Sequence, residues 1–211
     1  MKNALFNLLC DFGRQEILRS YNPDSCIIST AVVLDVLQHF GFHACPLSVR
    51  TTIYNAAAVD CMKKRLLPRP DQIKEWADKY GSWTVGIGFG ERQSPAKWPG
   101  HLVALHEDTL IDLSLDQATR PKYEMNLTPM FGKTSLAFAE GEEKEVWIKE
   151  DGCVITYQRT CNESFSKSPD WSDRKRRRAI VLSIIQRAEE LVDSDAGKFQ
   201  AEQGDLRIAR L

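Results

Sequence analysis

Apolar residues recur with helical spacing through much of the first eighty positions, and from Trp83 onward they fall in short extended segments separated by turn residues. Leu5, Leu8, Leu9, Phe12, Ile17 and Leu18 predict a helix over residues 3–20, with Gly13 as a point of interruption. In "SYNPD", Pro23 has no N–H to continue a helix and pushes Asn22 towards extended geometry. Asp24 or Ser25 can cap the next helix, which runs to Phe40 and stops at Gly41. Its residues Ile27, Ile28, Ala31, Val32, Val33, Leu34, Val36 and Leu37 cover most of the helix circumference. Such a helix is buried on nearly every side and should lie at the centre of the core.

"HACPLSVRTTIYN" reads as a strand, and "AAAVDCMKKRLL" and "RPDQIKEWADKYG" as helices, the second with Pro70 near its start and Gly81 after its end. From Trp83 onward the segments "WTVGIGF", "HLVALH", "TLIDLSL", "TSLAFA", "EVWIKE" and "CVITYQR" are short, extended and separated by turn residues. A helix from Trp171 to Asp193 follows, and the polar end "AGKFQAEQGDLRIARL" is expected to fray. Helices first and strands later predict an α+β fold with a mostly antiparallel sheet. We divide the chain into a domain over residues 1–165 and a C-terminal helical extension over 166–211.

Composition narrows the classes. The chain has 211 residues, 43% of them hydrophobic, and a formal net charge of −1, so no global field draws it to nucleic acid or a membrane. No apolar run approaches the roughly 18 residues of a membrane span. "MKNALFNLLCDFGRQ" looks superficially like a lipoprotein leader, but Asn7 breaks it and Leu9 stands where cleavage needs a small residue. A cytoplasmic protein is expected. The basic run "DRKRRR" lacks interleaved aromatics, which weighs against nucleic acid and favours a helix packed on the domain or on a protein partner.

Six cysteines, at 10, 26, 45, 61, 153 and 161, form no CxxC pair, so neither a zinc ribbon nor a thioredoxin motif is present, and no metal or cofactor is expected. Only Cys26 stands at a helix mouth. Unpaired N–H groups and the partial positive charge there stabilise a thiolate, and with a histidinium they lower a cysteine pKa from about 8.5 to as little as 3.5–7.5. The base has to come from four histidines. His39 is thirteen residues along the same helix, about 20 Å away, and His43 meets the same obstacle. His101 opens a strand after Gly100, whereas His106 sits at a turn and reads as a surface residue. If Asp108 and Thr109 form the hairpin tip, His101 and Asp112 become cross-strand or next-strand neighbours. A carboxylate inside Ile111-Asp112-Leu113 requires a partner. Blander roles remain open for each: Cys26 as a small first-turn residue, His101 satisfied by a carbonyl, Asp112 as a turn former. "GIGFG" has no helix after it and reads as a strand with close backbone neighbours rather than a dinucleotide loop. Trp98 suits either packing or a substrate groove.

Cys26 in "NPDSCIIST", His101 in "GHLVALH" and Asp112 in "LIDLSLDQ" together resemble the papain-like cysteine peptidase superfamily, most closely its transglutaminase-like and arylamine-acetyltransferase-like branches. The resemblance covers about residues 20–118. It implies a papain-like fold in which a buried, nucleophile-bearing helix packs on the sheet, with inserted helices over residues 54–80. Cys26 would be the nucleophile, His101 the base and then acid, and Asp112 the orienting group. A glutamine just upstream of the cysteine is missing, and Asn22 is the nearest substitute. Asn22, Trp98 and Gly100 are the expected substrate contacts. The implied activity is a thiol hydrolase or acyltransferase on a peptide, protein or small acyl substrate. The other reading is a binding module that keeps the fold and holds a protein partner through its aromatic loop and C-terminal helix.

Overall fold

The computed structural model describes residues 2–64, 72–89, 98–135, 144–149 and 152–208. The N-terminal helical run is α1 (Lys2–Leu8), a wide π-turn (Leu9–Gly13) and α2 (Arg14–Leu18). The interruption expected at Gly13 is thus an extra residue in one turn, not a break. The chain then turns at Pro23 and enters α3 (Cys26–His39). As its all-round apolar surface requires, α3 is central: Ile28, Ala31, Val32, Val33, Val36 and Leu37 are buried. Each of the Ile, Val and Leu side chains among them contributes about 1.5–3 kcal/mol of transfer free energy. Two shorter helices, α4 (Ala56–Lys63) and α5 (Ile73–Tyr80), fill the interval between the first strand and the rest of the sheet.

The fold is α+β with one curled antiparallel sheet. Its strands are β1 (Cys45–Tyr54), β2 (Thr84–Ile87), β3 (His101–His106), β4 (Thr109–Asp112), β5 (Met130–Lys133), β6 (Lys144–Ile148) and β7 (Val154–Arg159). Along the sheet the order is β5-β4-β3-β1-β7-β6. The long strand β1 organises it. One edge pairs with β7 over Val49–Tyr54. The opposite edge pairs first with β3, up to Val49↔His101, and then with β2, from Thr51↔Ile87. Strands β2 and β3 therefore lie end to end along β1, and the chain leaves at Gly88 and returns at Gly100 to nearly the same point. Gly88 permits this: at φ +85 its missing Cβ would sit 2.8 Å from the Val49 carbonyl oxygen and 3.0 Å from the His101 nitrogen.

Three expectations are corrected. The β3–β4 hairpin turns at Glu107-Asp108, one residue earlier than expected, because Glu107 takes up a positive φ and His106 pairs with Thr109. A strand precedes "TSLAFA" at Met130–Lys133; residues 136–143 lie outside the described residues, as does Pro70. The last helix, α7 (Arg174–Ile208), follows a short α6 (Pro169–Ser172) and continues well past Asp193. Its polar end is rich in Ala, Glu, Gln, Lys and Arg, residues whose helix propensity is high even without an apolar face.

Apolar residues collect on both sides of the sheet. On one side Leu9, Ile17, Val32 and Leu37 pack with Ala104 and Ile111 and with Ile180, Ile184 and Ala188 of α7. On the other, Val49, Val103, Leu110, Ile155 and Tyr157 gather with Leu115, Met125 and Leu127. Arg177 explains part of the basic run: it is buried, and it donates to Asp35 of α3 at 2.7 Å and to the Trp171 carbonyl at 2.8 Å. Among the described residues no helix is long and apolar enough to cross a membrane.

Candidate active site

Three segments distant in sequence meet where α3 begins. The register Ala104↔Ile111 places Asp112 opposite Val103, so His101, two residues along on the same face, is its diagonal neighbour. At that offset an imidazole and a carboxylate can touch, and His101 Nε2 lies 2.8 Å from Asp112 Oδ2. Both side chains are fully buried. Helix α3 is pinned to the same strand by the Thr30 hydroxyl, which donates to the Leu102 carbonyl at 2.9 Å. That bond sets Cys26, one turn earlier, near enough to the imidazole for its side chain to help raise the His101 pKa.

The Asp112 carboxylate is fully provided for. Its Oδ2 also accepts from the Tyr157 hydroxyl at 3.0 Å, and its Oδ1 accepts from the Ser114 backbone N–H at 3.1 Å. Donors on both oxygens supply the hydrogen bonds that a carboxylate loses when it leaves water. The electrostatics of His101 follow. Burial alone pulls its pKa down, but the charge and hydrogen bond of Asp112 and then the Cys26 side chain more than reverse this, and it is pushed up to about 10. That direction favours the protonated imidazole, held between a carboxylate and a thiol. Tyr157 is pushed well above its ordinary range by burial and by the negative charge of Asp112, so it stays a hydrogen-bond donor.

Cys26 is 8% exposed and opens on a cleft of about 230 Å³. Asp24, Ser25 and Ile27 line it from the helix mouth, Trp98, Pro99 and Gly100 from the arm that enters β3, and Gln117 and Asp170 from the far side. The indole of Trp98 lies so close over Gly100 that a Cβ there would fall 1.9 Å from its Cζ2. Trp98 also packs edge-on against Phe165, which in turn packs against Trp171. The packing and lining roles open to Trp98 are thus both filled. Its Nε1 is buried with no partner among the described residues.

The expected residues divide as follows. Cys26, His101 and Asp112 come together, and Trp98 and Gly100 line the cleft beside them. Asn22 is exposed and does not line it. An amide does face the site, but from the other side: Gln117 Nε2 lies 3.4 Å from His101 Nδ1. Gln117 sits on a 3-10 turn (Leu115–Ala118) directly after β4, and the only hint of it in the sequence is its place five residues beyond Asp112. Tyr157, from a strand forty-five residues on, carried no local signal at all. His106, expected at the surface, is buried between Phe6 and Phe42, with Nδ1 donating to the His43 carbonyl at 2.6 Å. Cys10 is buried inside the π-turn, where burial and the nearby Asp11 push its thiol up to about 12. Among the described residues no three His, Cys, Asp or Glu side chains converge as metal ligands.

No family model matches the chain, and neither the curated proteins nor the solved structures include a match to it.

Proposed function

We propose that this protein is a thiol-dependent hydrolase or acyltransferase, working through Cys26, His101 and Asp112 in a papain-like arrangement. One observation carries the reading. A thiol at a helix N-terminus faces a buried imidazole whose other nitrogen is 2.8 Å from a buried, fully hydrogen-bonded carboxylate. Buried charge of this kind is costly in a merely structural core, where apolar residues of the same volume serve as well or better.

The chemistry follows from the geometry. With His101 protonated, Cys26 reacts as the thiolate, and its Sγ attacks the carbonyl carbon of an amide or thioester. Charge passes to the carbonyl oxygen, which the free N–H groups at the start of α3 stabilise. On collapse the carbon–nitrogen or carbon–sulfur bond breaks and His101 gives its proton to the leaving group. A thioester on Cys26 remains, with neutral His101 beside it. His101 then takes a proton from water, whose oxygen attacks the thioester and frees the acid, or from an amine, which yields the transferred amide. Asp112 keeps the imidazole oriented with Nε2 bonded and leaves the other nitrogen to face Cys26. No metal or cofactor enters. A peptide, protein or small acyl compound fits an open cleft of this kind, and a reducing cytoplasm suits a thiolate nucleophile.

The test is alkylation of all six cysteines as a function of pH, resolved peptide by peptide. Cys26 alone should react fast at about pH 6, well below an ordinary thiol pKa. Reaction no faster than that of a free thiol overturns the catalytic reading. It would bring forward a binding module that uses the Trp98 arm and the C-terminal helix.

A further inference from the structure

The least expected charge in the chain lies beneath this cleft. Arg14 follows the π-turn, closing it through its N–H on the Leu9 carbonyl, and its side chain is only 3% exposed. Wide turns of this type recur at functional sites. The guanidinium spans two segments. Towards the helix mouth it donates to the Pro23 carbonyl at 2.6 Å and to the hydroxyls of Ser25 at 3.3 Å and Ser29 at 3.2 Å. Towards the 3-10 turn that carries Gln117 it meets Asp116, with Nε 3.0 Å from Oδ2 and an ion-pair distance of 2.8 Å to Oδ1.

The bond to Ser25 has a chemical consequence. Ser25 occupies the N-cap of α3, where a serine hydroxyl ordinarily accepts from the N–H groups of the first turn. Here it makes no such bond, and its backbone, at φ −100 and ψ 45, is not in the extended geometry of a capping serine. Its oxygen is engaged by Arg14 instead. The first-turn N–H groups are thereby left without a side-chain acceptor at the point where Cys26 and a reacting carbonyl need them.

We infer that Arg14 is a positioning residue: it draws the Ser25 hydroxyl away from capping and ties the mouth of α3 to the Gln117 turn, leaving the helix N-terminus open for the Cys26 thiolate and the oxyanion. This inference rests on the catalytic reading above. A lysine could hold Asp116 but has no planar fork with which to hold Ser25, Ser29 and Pro23 as well.

The experiment compares the pH dependence of Cys26 alkylation by iodoacetamide, with the melting temperature alongside, in the full chain and in Arg14→Lys, Arg14→Met and Arg14→Met combined with Ser25→Ala. Freed to cap the helix, Ser25 should compete for the N–H groups. With that stabilisation lost, both single variants should react about ten-fold more slowly at about pH 6 while the alkaline plateau stays put. Removing the Ser25 hydroxyl in the Arg14→Met background should recover about a third or more of the lost rate. A merely structural role predicts a lower melting temperature, a profile that keeps its midpoint, and no recovery; that result overturns the inference. Arg14→Lys keeps the charge beside Asp116 and supplies the test if Arg14→Met does not fold. If the unsubstituted protein shows no fast thiol at about pH 6, the catalytic reading fails and the inference with it. A fast thiol that Arg14→Lys leaves unchanged removes the inference alone.

Discussion

Strand β3 begins and ends with a buried histidine, and the two behave differently. His101 and His106 are five residues apart, so they face opposite sides of the sheet. His106 lies among Phe6 and Phe42, gives one proton to a backbone carbonyl, and has its Nε2 3.6 Å from the exposed Glu107 carboxylate, too far for a hydrogen bond. Such a histidine is an aromatic filler with one polar obligation. His101 has a carboxylate on one nitrogen, a thiol as a further partner and an amide close by. Burial by itself does not make a histidine functional. What sets His101 apart is a second ionisable group beside it, within reach of a cleft.

The sharpest way to break the contrast is to remove each imidazole in turn. His101→Ala should slow Cys26 alkylation at about pH 6 by about a hundred-fold or more, the weight of a positioned acid–base group. His106→Ala should leave that rate almost unchanged and cost about 2 kcal/mol of stability from lost packing and one hydrogen bond, read by denaturant unfolding. If both substitutions slowed the thiol equally, the distinction between the two sites would collapse. Asp112→Ala comes next. It strands a buried cation, and breaking a buried pair in this way costs about 3–5 kcal/mol. Urea midpoints measure it, and the same variant should return the alkylation profile towards that of an ordinary thiol.

Smaller effects sharpen the picture. Tyr157→Phe removes one donor to a charged acceptor and should cost about 1.5–3 kcal/mol, with the acidic limb of the alkylation profile shifted but not lost. The stability profile carries a sign of its own. The pKa of His101 is raised from 6.5 to about 10 in the folded protein, so its contribution is complete below the lower value and is lost as pH rises through the higher one. Melting temperatures should therefore fall across that interval, and His101→Gln should flatten the fall while His106→Gln leaves it in place. Gly100→Ala should be the mildest for the thiol itself. Its new Cβ would displace the Trp98 indole, so it should widen the range of alkylating reagents that reach Cys26 more than it slows their reaction.

Much of this was legible in the chain as written. Periodicity set the central position of α3, since a helix apolar on all sides has nowhere else to go. The helix mouth singled out Cys26 among six cysteines, and the two-strand spacing made a diagonal neighbour of the only carboxylate in an apolar run. These are local properties, decided within one or two turns or one hairpin. The residues that surround these three are not local. Tyr157 reaches Asp112 only because β7 and β3 flank the same long strand, and Arg14 reaches Ser25 and Asp116 only because α2 folds back beneath both. The burial of His106 is non-local for the same reason, since it depends on Phe6 and Phe42 arriving from elsewhere. Which residue types can do chemistry is written in the order of the chain. Which of them are desolvated, charged and held in place depends on long-range packing, and no window of sequence contains it.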